Sequence, residues 1–399
     1  MQSTKRPQNT SVRNFNDTKR KKRTIQTVKP NLVGDIAKGP VTRLEDLSNE
    51  TIYDIFDYLD FFHVYQSFFN LNIRFRNLLI YSKLSIKINI NSSISRSNLE
   101  HYYNDIVIPC SDRIISFNIT NDPSPAPNVP PYNILSSFTR LETLILENIN
   151  LRFVDNIFQE ISSLSNLSTL IIILCDVQTY QRNHFLEIFR LPFLKYLKMN
   201  LSESYKISFA TTEFSPIEQL VIENQIHFEY VLNILSYVPK LRRLSLNDVG
   251  NMIPITKLDK PIPLNHLTHL FINLNGVSFN DFELLIKRYF RSIQVLHITI
   301  GNGDEYINAN RWEQFILSSM PFLRIFDIYI NGLSDQSHAS RCYEFNSSFW
   351  LERQWFFAKY VFEKIEPKNI FFSHFFFIVN ILFFEFISLR NVIRWFSIQ

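Results

Sequence analysis

Three histidines come nearest to reactive chemistry in this chain. His266 and His269 stand three residues apart, and His297 falls on the next apolar segment, where a parallel strand would bring it near His269. Imidazoles so placed could share a zinc ion. The pair lacks the glutamate and the helical spacing of a hydrolytic zinc site, and it straddles the start of a strand-like run. A surface histidine pair is the expectation, and no metal. Cys110, Cys175 and Cys342 lie far apart, with no metal-ligand spacing and an odd count that argues against a disulfide framework. Isolated cysteines of this kind fit a reducing compartment, the cytosol or nucleus. Gly301-Asn302-Gly303-Asp304 reads as a turn. The chain contains only 7 glycines, and no Gly-x-Ser-x-Gly elbow or Gly-Lys-Ser phosphate loop. The sequence therefore predicts no catalytic residue and no cofactor, and points to recognition rather than bond chemistry.

Charge narrows the partners. Residues 1–40 hold ten Lys/Arg and two Asp/Glu, which leaves 31 of the 41 basic and 35 of the 37 acidic residues for the rest. The folded part is thus mildly acidic, and no nucleic-acid partner is expected. The first 40 residues are polar, without apolar period, and read as a disordered tail with no secretory leader. Within them Lys19, Arg20, Lys21, Lys22 and Arg23 form either a nuclear-import signal or a merely solvated basic run. Hydrophobic residues make up 46% of the chain, enough for a large core.

Two helical stripes occupy residues 42–84. Leu44 and Leu47 form an extended approach, followed by Ile52, Ile55, Phe56 and Leu59 on one helical face, with Ser48 or Asn49 as cap. Tyr65, Phe68, Phe69, Leu71, Phe75, Leu78 and Leu79 continue the pattern. Some 40 residues make a weak core alone, so this module should lean on a neighbour or partner. The run Leu44-Glu45-Asp46-Leu47-Ser48-Asn49-Glu50, then Ile52, Ile55, Phe56 and Tyr58-Leu59, resembles the opening of the F-box family, with Ser48 where that family carries proline. The resemblance implies that Leu44, Leu47, Ile52, Ile55, Phe56 and Leu59 either face an adaptor subunit of a ubiquitin ligase or hold the helices together.

Further on, the pattern apolar-x-x-apolar-x-apolar occurs nine times. It begins at Ile114, Leu141, Leu167, Leu194, Ile217, Leu241, Leu267, Ile293 and Leu323, at intervals of 23 to 30 residues. Helix-like stretches lie between: Val154–Leu164, Phe185–Phe189, Tyr230–Tyr237, Phe282–Phe290 and Trp312–Ser319. One strand and one helix per repeat predict a parallel sheet with helices outside. The proline-rich Asp122–Pro131 interrupts the first repeat as a surface loop. The repeats resemble the leucine-rich-repeat superfamily, although the asparagine expected after the third apolar position is absent or shifted. The expected fold is an α/β solenoid, a curved parallel sheet of irregular leucine-rich repeats preceded by a small all-α F-box-like module. Side chains alternate along a strand, so the residues flanking the middle apolar position should face the concave side. These include Tyr196, Lys198, Arg243, His269, Phe271, His297 and Asp327, the candidate target-binding set.

Residues 370–389 hold eight phenylalanines between Lys368 and Arg390. Three readings compete for them: a terminal cap on the last repeat, a membrane-spanning helix, or a segment that is not native coding sequence. The expected boundaries are a disordered tail to 40, an F-box-like module over 41–90, repeats over 91–345, and a cap or hydrophobic tail over 346–399. The resemblances together imply a substrate-recognition adaptor of an SCF-type cullin–RING ubiquitin ligase. It would bind the ligase's adaptor subunit, and through it a cullin, with an unknown target protein on the repeats. A non-ligase scaffold, possible in cytoplasm or nucleus or tethered to a membrane through 370–389, is the alternative.

Overall fold

The computed structural model describes residues 43–121, 133–150, 153–175, 185–200, 214–250, 264–301, 303–333, 342–366 and 369–380. Two units are distinguished, Met1–Ser48 and Asn49–Gln399. In the first, Leu44–Asp46 form a single 3-10 turn, closed by the Arg43 N–H donating to the Asp46 carboxylate at 2.8 Å. The extended approach expected there is therefore a turn. Lys19 to Arg23 and the proline-rich loop lie outside the described residues.

The second unit opens with three helices, α1 (Asn49–Asp57), α2 (Phe61–Phe68) and α3 (Ile73–Tyr81). Asp60 and Asn72 end the connecting turns because their side chains accept the free N–H groups of Phe62 and Phe75, at 2.9 and 3.1 Å. Their shared interior is aromatic: Phe68 lies 5.2 Å from Phe56 and 5.3 Å from Phe75 between ring centroids. The helices do not stand alone. Ile86–Asn91, inside the span read as the helical module, is a strand, β1, and α2 packs against it. Asn89 on β1 donates to Asp60 at 3.0 Å. Beyond β1, α4 (Arg96–Tyr102) and a π-helical turn (Tyr103–Val107) supply Tyr102, which packs on Phe62 and Tyr65.

Ten parallel strands follow one another across the sheet in chain order. After β1 come β2 (Ile114–Thr120), β3 (Thr143–Ile149), β4 (Thr169–Leu174), β5 (Tyr196–Met199) and β6 (Gln219–His227). Then come β7 (Arg243–Gly250), β8 (His269–Asn275), β9 (Val295–Gly301) and β10 (Ile325–Leu333). All nine apolar repeats are thus strands, each beside its predecessor. Between them run α5 (Val154–Ile161), α6 (Phe185–Phe189), α7 (Phe228–Leu235), α8 (Phe279–Tyr289) and α9 (Ala309–Ser319). The middle apolar residues are register neighbours, from Leu144 through Leu170, Leu197, Leu220, Leu244 and Leu270 to Leu296, and all are buried.

A short helix α10 (Ser348–Glu352) leads to β11 (Trp355–Glu366) and β12 (Asn369–Asn380). β12 pairs antiparallel with β10, and β11 with β12. The part of 370–389 that is described is therefore strand, not the membrane-spanning helix entertained above; 381–389 lie outside the described residues. No helix among the described residues is long and apolar enough to cross a membrane.

Buried polar groups tie the parts together. Arg113, 8% exposed, donates to the carbonyls of Leu79, Ile80 and Leu84 at 3.0, 2.7 and 3.0 Å and to the Ser82 hydroxyl at 2.6 Å. It satisfies carbonyls at the C-terminal end of α3, where a cation also opposes the helix dipole. Buried Glu160 accepts from the N–H groups of Asn133 and Leu135 at 2.9 and 2.7 Å. Asparagines after the strands are shifted as the sequence suggested, yet they still bond across repeats. Asn200 brackets Leu174, accepting from its N–H at 2.9 Å and donating to its carbonyl at 2.8 Å. Asn148 donates to the Asn121 carbonyl at 2.6 Å.

Two substitutions test this framework by urea unfolding. Arg113→Ala removes four charge-assisted bonds and leaves the buried Leu79 carbonyl and the part-buried Ile80 carbonyl only the weak Cys110 thiol as a side-chain donor, and should cost about 3 kcal/mol. Asn200→Ala strands both backbone groups of Leu174 and should cost about 2 kcal/mol, whereas Asn156→Ala on the exposed side of α5 should stay within roughly 0.5 kcal/mol.

Candidate functional site

The strand period of two buries one face of the sheet and leaves the other half-exposed. Parallel register then lines the outward residues up in rows across strands. One row runs Tyr196, Gln219, Arg243, His269, Val295, Ile325, of which Val295 alone is buried. The next, two residues along each strand, runs Lys198, Val221, Ser245, Phe271, His297, Asp327. The seven residues named from the sequence as target-binding therefore all fall on two adjacent rows of the same face.

Within these rows the polar groups differ in what they already hold. Lys198 is paired with Glu223 at 2.7 Å. The His297 Nδ1 lies 2.6 Å from the Asp327 carboxylate, and its ring stacks on Phe271 with centroids 4.5 Å apart and planes 9° apart. Arg243 is exposed; its backbone N–H donates to the Glu218 carbonyl at 3.1 Å, while its guanidinium has no hydrogen-bond or ion-pair partner among the described residues. Its neighbour His269 is half-buried, with Nδ1 2.8 Å from the Thr268 hydroxyl. Burial pushes the His269 imidazole below its ordinary value, and the charges of Arg243 and His297 push it further the same way.

The register also settles the histidine geometry. His269 faces Val295, and His297 faces Phe271, so the two imidazoles sit diagonally and are engaged by different partners. Among the described residues no group of three or more His, Cys, Asp or Glu could hold a metal ion. Three outward isoleucines were missed in the sequence, Ile145, Ile171 and Ile173, all half-exposed. Ile171-Ile172-Ile173 is an unbroken apolar run, which conceals which of its members face outward.

The six residues compared with the F-box opening divide by exposure. Ile52 and Phe56 are 1% and 7% exposed and belong to the helical interior. Leu44 and Leu59 are 38% and 45% exposed, and Leu47 and Ile55 are half-buried. Ile55 lies in the last turn of α1, and Tyr58 and Leu59 in the turn that closes it, their N–H groups donating to the carbonyls of Ile55 and Phe56 at 3.2 and 3.1 Å; Tyr58 is 89% exposed.

A polar cavity of ≈ 440 Å³ lies where α2 meets α4 and the π-helical turn, lined by Tyr65, Gln66, Asn70, Asn98, His101 and Asp105. The Tyr65 hydroxyl donates to Asp105 at 2.7 Å, and burial, with that bond, raises the phenol well above its ordinary value. A neutral phenol committed to a carboxylate acts here as a tie between the helices and the first repeat.

Arg243→Gln should raise the pH midpoint of His269 by removing a charge that opposes imidazolium formation, with the fold unaltered. Histidine-ring NMR titration measures it, and an unmoved midpoint would show the two side chains to be uncoupled. The sequence matches no protein-family model and no curated protein, so the functional reading rests on this face and on the helices at the start of the sheet.

Proposed function

We propose that the chain is the substrate-recognition subunit of an SCF-type cullin–RING ubiquitin ligase. In this reading the sheet is an irregular leucine-rich-repeat solenoid, with the open face as its concave side, and the helices ahead of it are an F-box. The observation that carries it is a division of labour in the described residues. A helical head keeps large apolar side chains accessible in the turn that closes its first helix, while a separate sheet face presents aligned aromatic and charged residues from successive strands. An exposed leucine and tyrosine beside a half-buried isoleucine at the end of a short helix suit docking on an apolar groove.

The contribution to catalysis is proximity. Holding a target lysine near the charged ubiquitin carrier raises effective concentration and needs no reactive group on this chain. That agrees with a sequence that offers no nucleophile–base pair. Ile55, Leu59, Leu44 and Leu47 take the adaptor contacts in this reading, while Ile52 and Phe56 hold the head together.

The double variant Ile55→Asp/Leu59→Asp separates these roles. Purified adaptor subunit should bind it at least roughly tenfold more weakly, as expected when central apolar anchors are lost, while circular dichroism stays that of the parent. Leu47→Asp with Ile55→Asp should behave alike. Undiminished adaptor binding by both folded variants would remove the ligase reading and leave a scaffold that binds only through the sheet.

A further inference from the structure

The open face differs from place to place in what its charged groups already hold. Its charged groups are mostly spoken for: Lys198 by Glu223, and Asp327 by His297. The Arg243 guanidinium is exposed and has no hydrogen-bond or ion-pair partner among the described residues; the other exposed cation of its row, Lys87, lies six strands away on β1. The row to which it belongs, followed by register from Lys87 on β1 to Ile325 on β10, contains no carboxylate. An incoming anion would therefore meet no like charge along that row.

Beside Arg243 lies a preformed apolar platform. Phe271 is 37% exposed, and its ring is held against His297, which Asp327 fixes in turn. An aromatic side chain already immobilised loses little freedom on binding and makes an efficient contact. Arg243 and Phe271 are diagonal neighbours, one strand and two residues apart. One strand across and two residues along a parallel sheet place their Cα atoms about 8 Å apart. In a partner, residues two apart on an extended chain are separated by about 6.8 Å, while helical neighbours three or four apart sit about 5–6 Å from one another. The extended spacing fits better.

We infer that this face selects an extended protein segment bearing an acidic residue two positions from an aromatic one, the carboxylate seated on Arg243 beside His269 and the ring on Phe271. The inference rests on the reading of the sheet face as the target-binding side, and it adds the chemistry of the target. The carboxylate would accept from the guanidinium, a charge-assisted bond of planar geometry that glutamine cannot replace.

The test uses the full chain and a defined probe, the peptide acetyl-Gly-Glu-Ser-Phe-Gly-amide, followed by NMR of the histidine rings. The His269 and His297 signals should shift on titration. The Gln analogue should bind roughly tenfold or more weakly, because a hydrogen bond to a charged group is lost. Arg243→Gln and Phe271→Ala should each weaken the Glu peptide, while Lys240→Gln at an exposed turn should not. Equal binding of the Glu and Gln peptides, preference for a Lys analogue, or no response at these rings would overturn the inference. Inorganic phosphate shifting the same signals as strongly as the peptide would overturn the aromatic requirement. Adaptor binding uses the helical head, so a chain that still binds adaptor but ignores the peptide refutes this inference alone.

Discussion

Everything in this protein hangs on a column of buried side chains that crosses the sheet at right angles to its strands. From Leu144 to Leu296, and on to Phe326, each strand offers one large apolar residue that is covered only when the next strand is in place. Parallel neighbours cannot be joined by a tight turn; the chain must leave the sheet, return, and start again on the same side. An interval of 23 to 30 residues is about what one strand and one return require. A column of this kind has two ends, and each must be closed. At the first, α2 packs on β1 and Arg113 holds the end of α3. At the other, Phe326 is surrounded by Trp312, Trp350 and Trp355, and Trp355 donates to the Arg324 carbonyl at 3.3 Å.

The same column determines the opposite face. Because side chains alternate, each buried leucine puts its two neighbours outside, and the register that stacks the leucines stacks those neighbours too. Lys198 meets Val221, Phe271 meets His297, and His297 meets Asp327 without any device beyond the ladder itself. Interaction within these rows is local: a histidine stacked on phenylalanine and bonded to aspartate leaves few arrangements open to any of the three. Rigidity on this face is therefore a by-product of core packing, and a slip of one residue in any strand would send the outward set into the core.

How much of this could be read from sequence follows from the distances involved. The nine strands were legible because leucine spacing repeats, and the outward set because parity needs only a strand's own residues. β1 was not, since Ile86, Ile88 and Ile90 alternate without the leading apolar position of the other repeats and adjoin a helical stripe. The stretch after Asn369 has too few polar residues to show a period, so helix and strand looked alike. Arg113 was invisible for a different reason. A charged residue beside a strand reads as surface, and the groups it serves lie 29 to 34 residues earlier. The pairing of His297 with Asp327, and the diagonal placing of the two histidines, depend on register between strands, which composition does not encode.

The head is not a bead on a string. Asn89 to Asp60, Tyr65 to Asp105, and Arg113 to the end of α3 each join the helices to the first part of the sheet, and two of these three bonds engage groups that are wholly or partly buried. Charge-assisted bonds to buried acceptors resist opening more than surface pairs do, because the acceptors have no water to turn to. Under the function proposed above, which works by proximity, such attachment is an advantage. Effective concentration falls as the space sampled between two docking sites grows, so a hinge between head and sheet would, in that proposal, dilute any target held on the sheet. A helical module of some 40 residues cannot build an adequate core by itself. By sharing its interior with β1 and α4 it acquires stability and a fixed bearing together, and the requirement for a core is met by the same contacts that the proposed proximity mechanism would need.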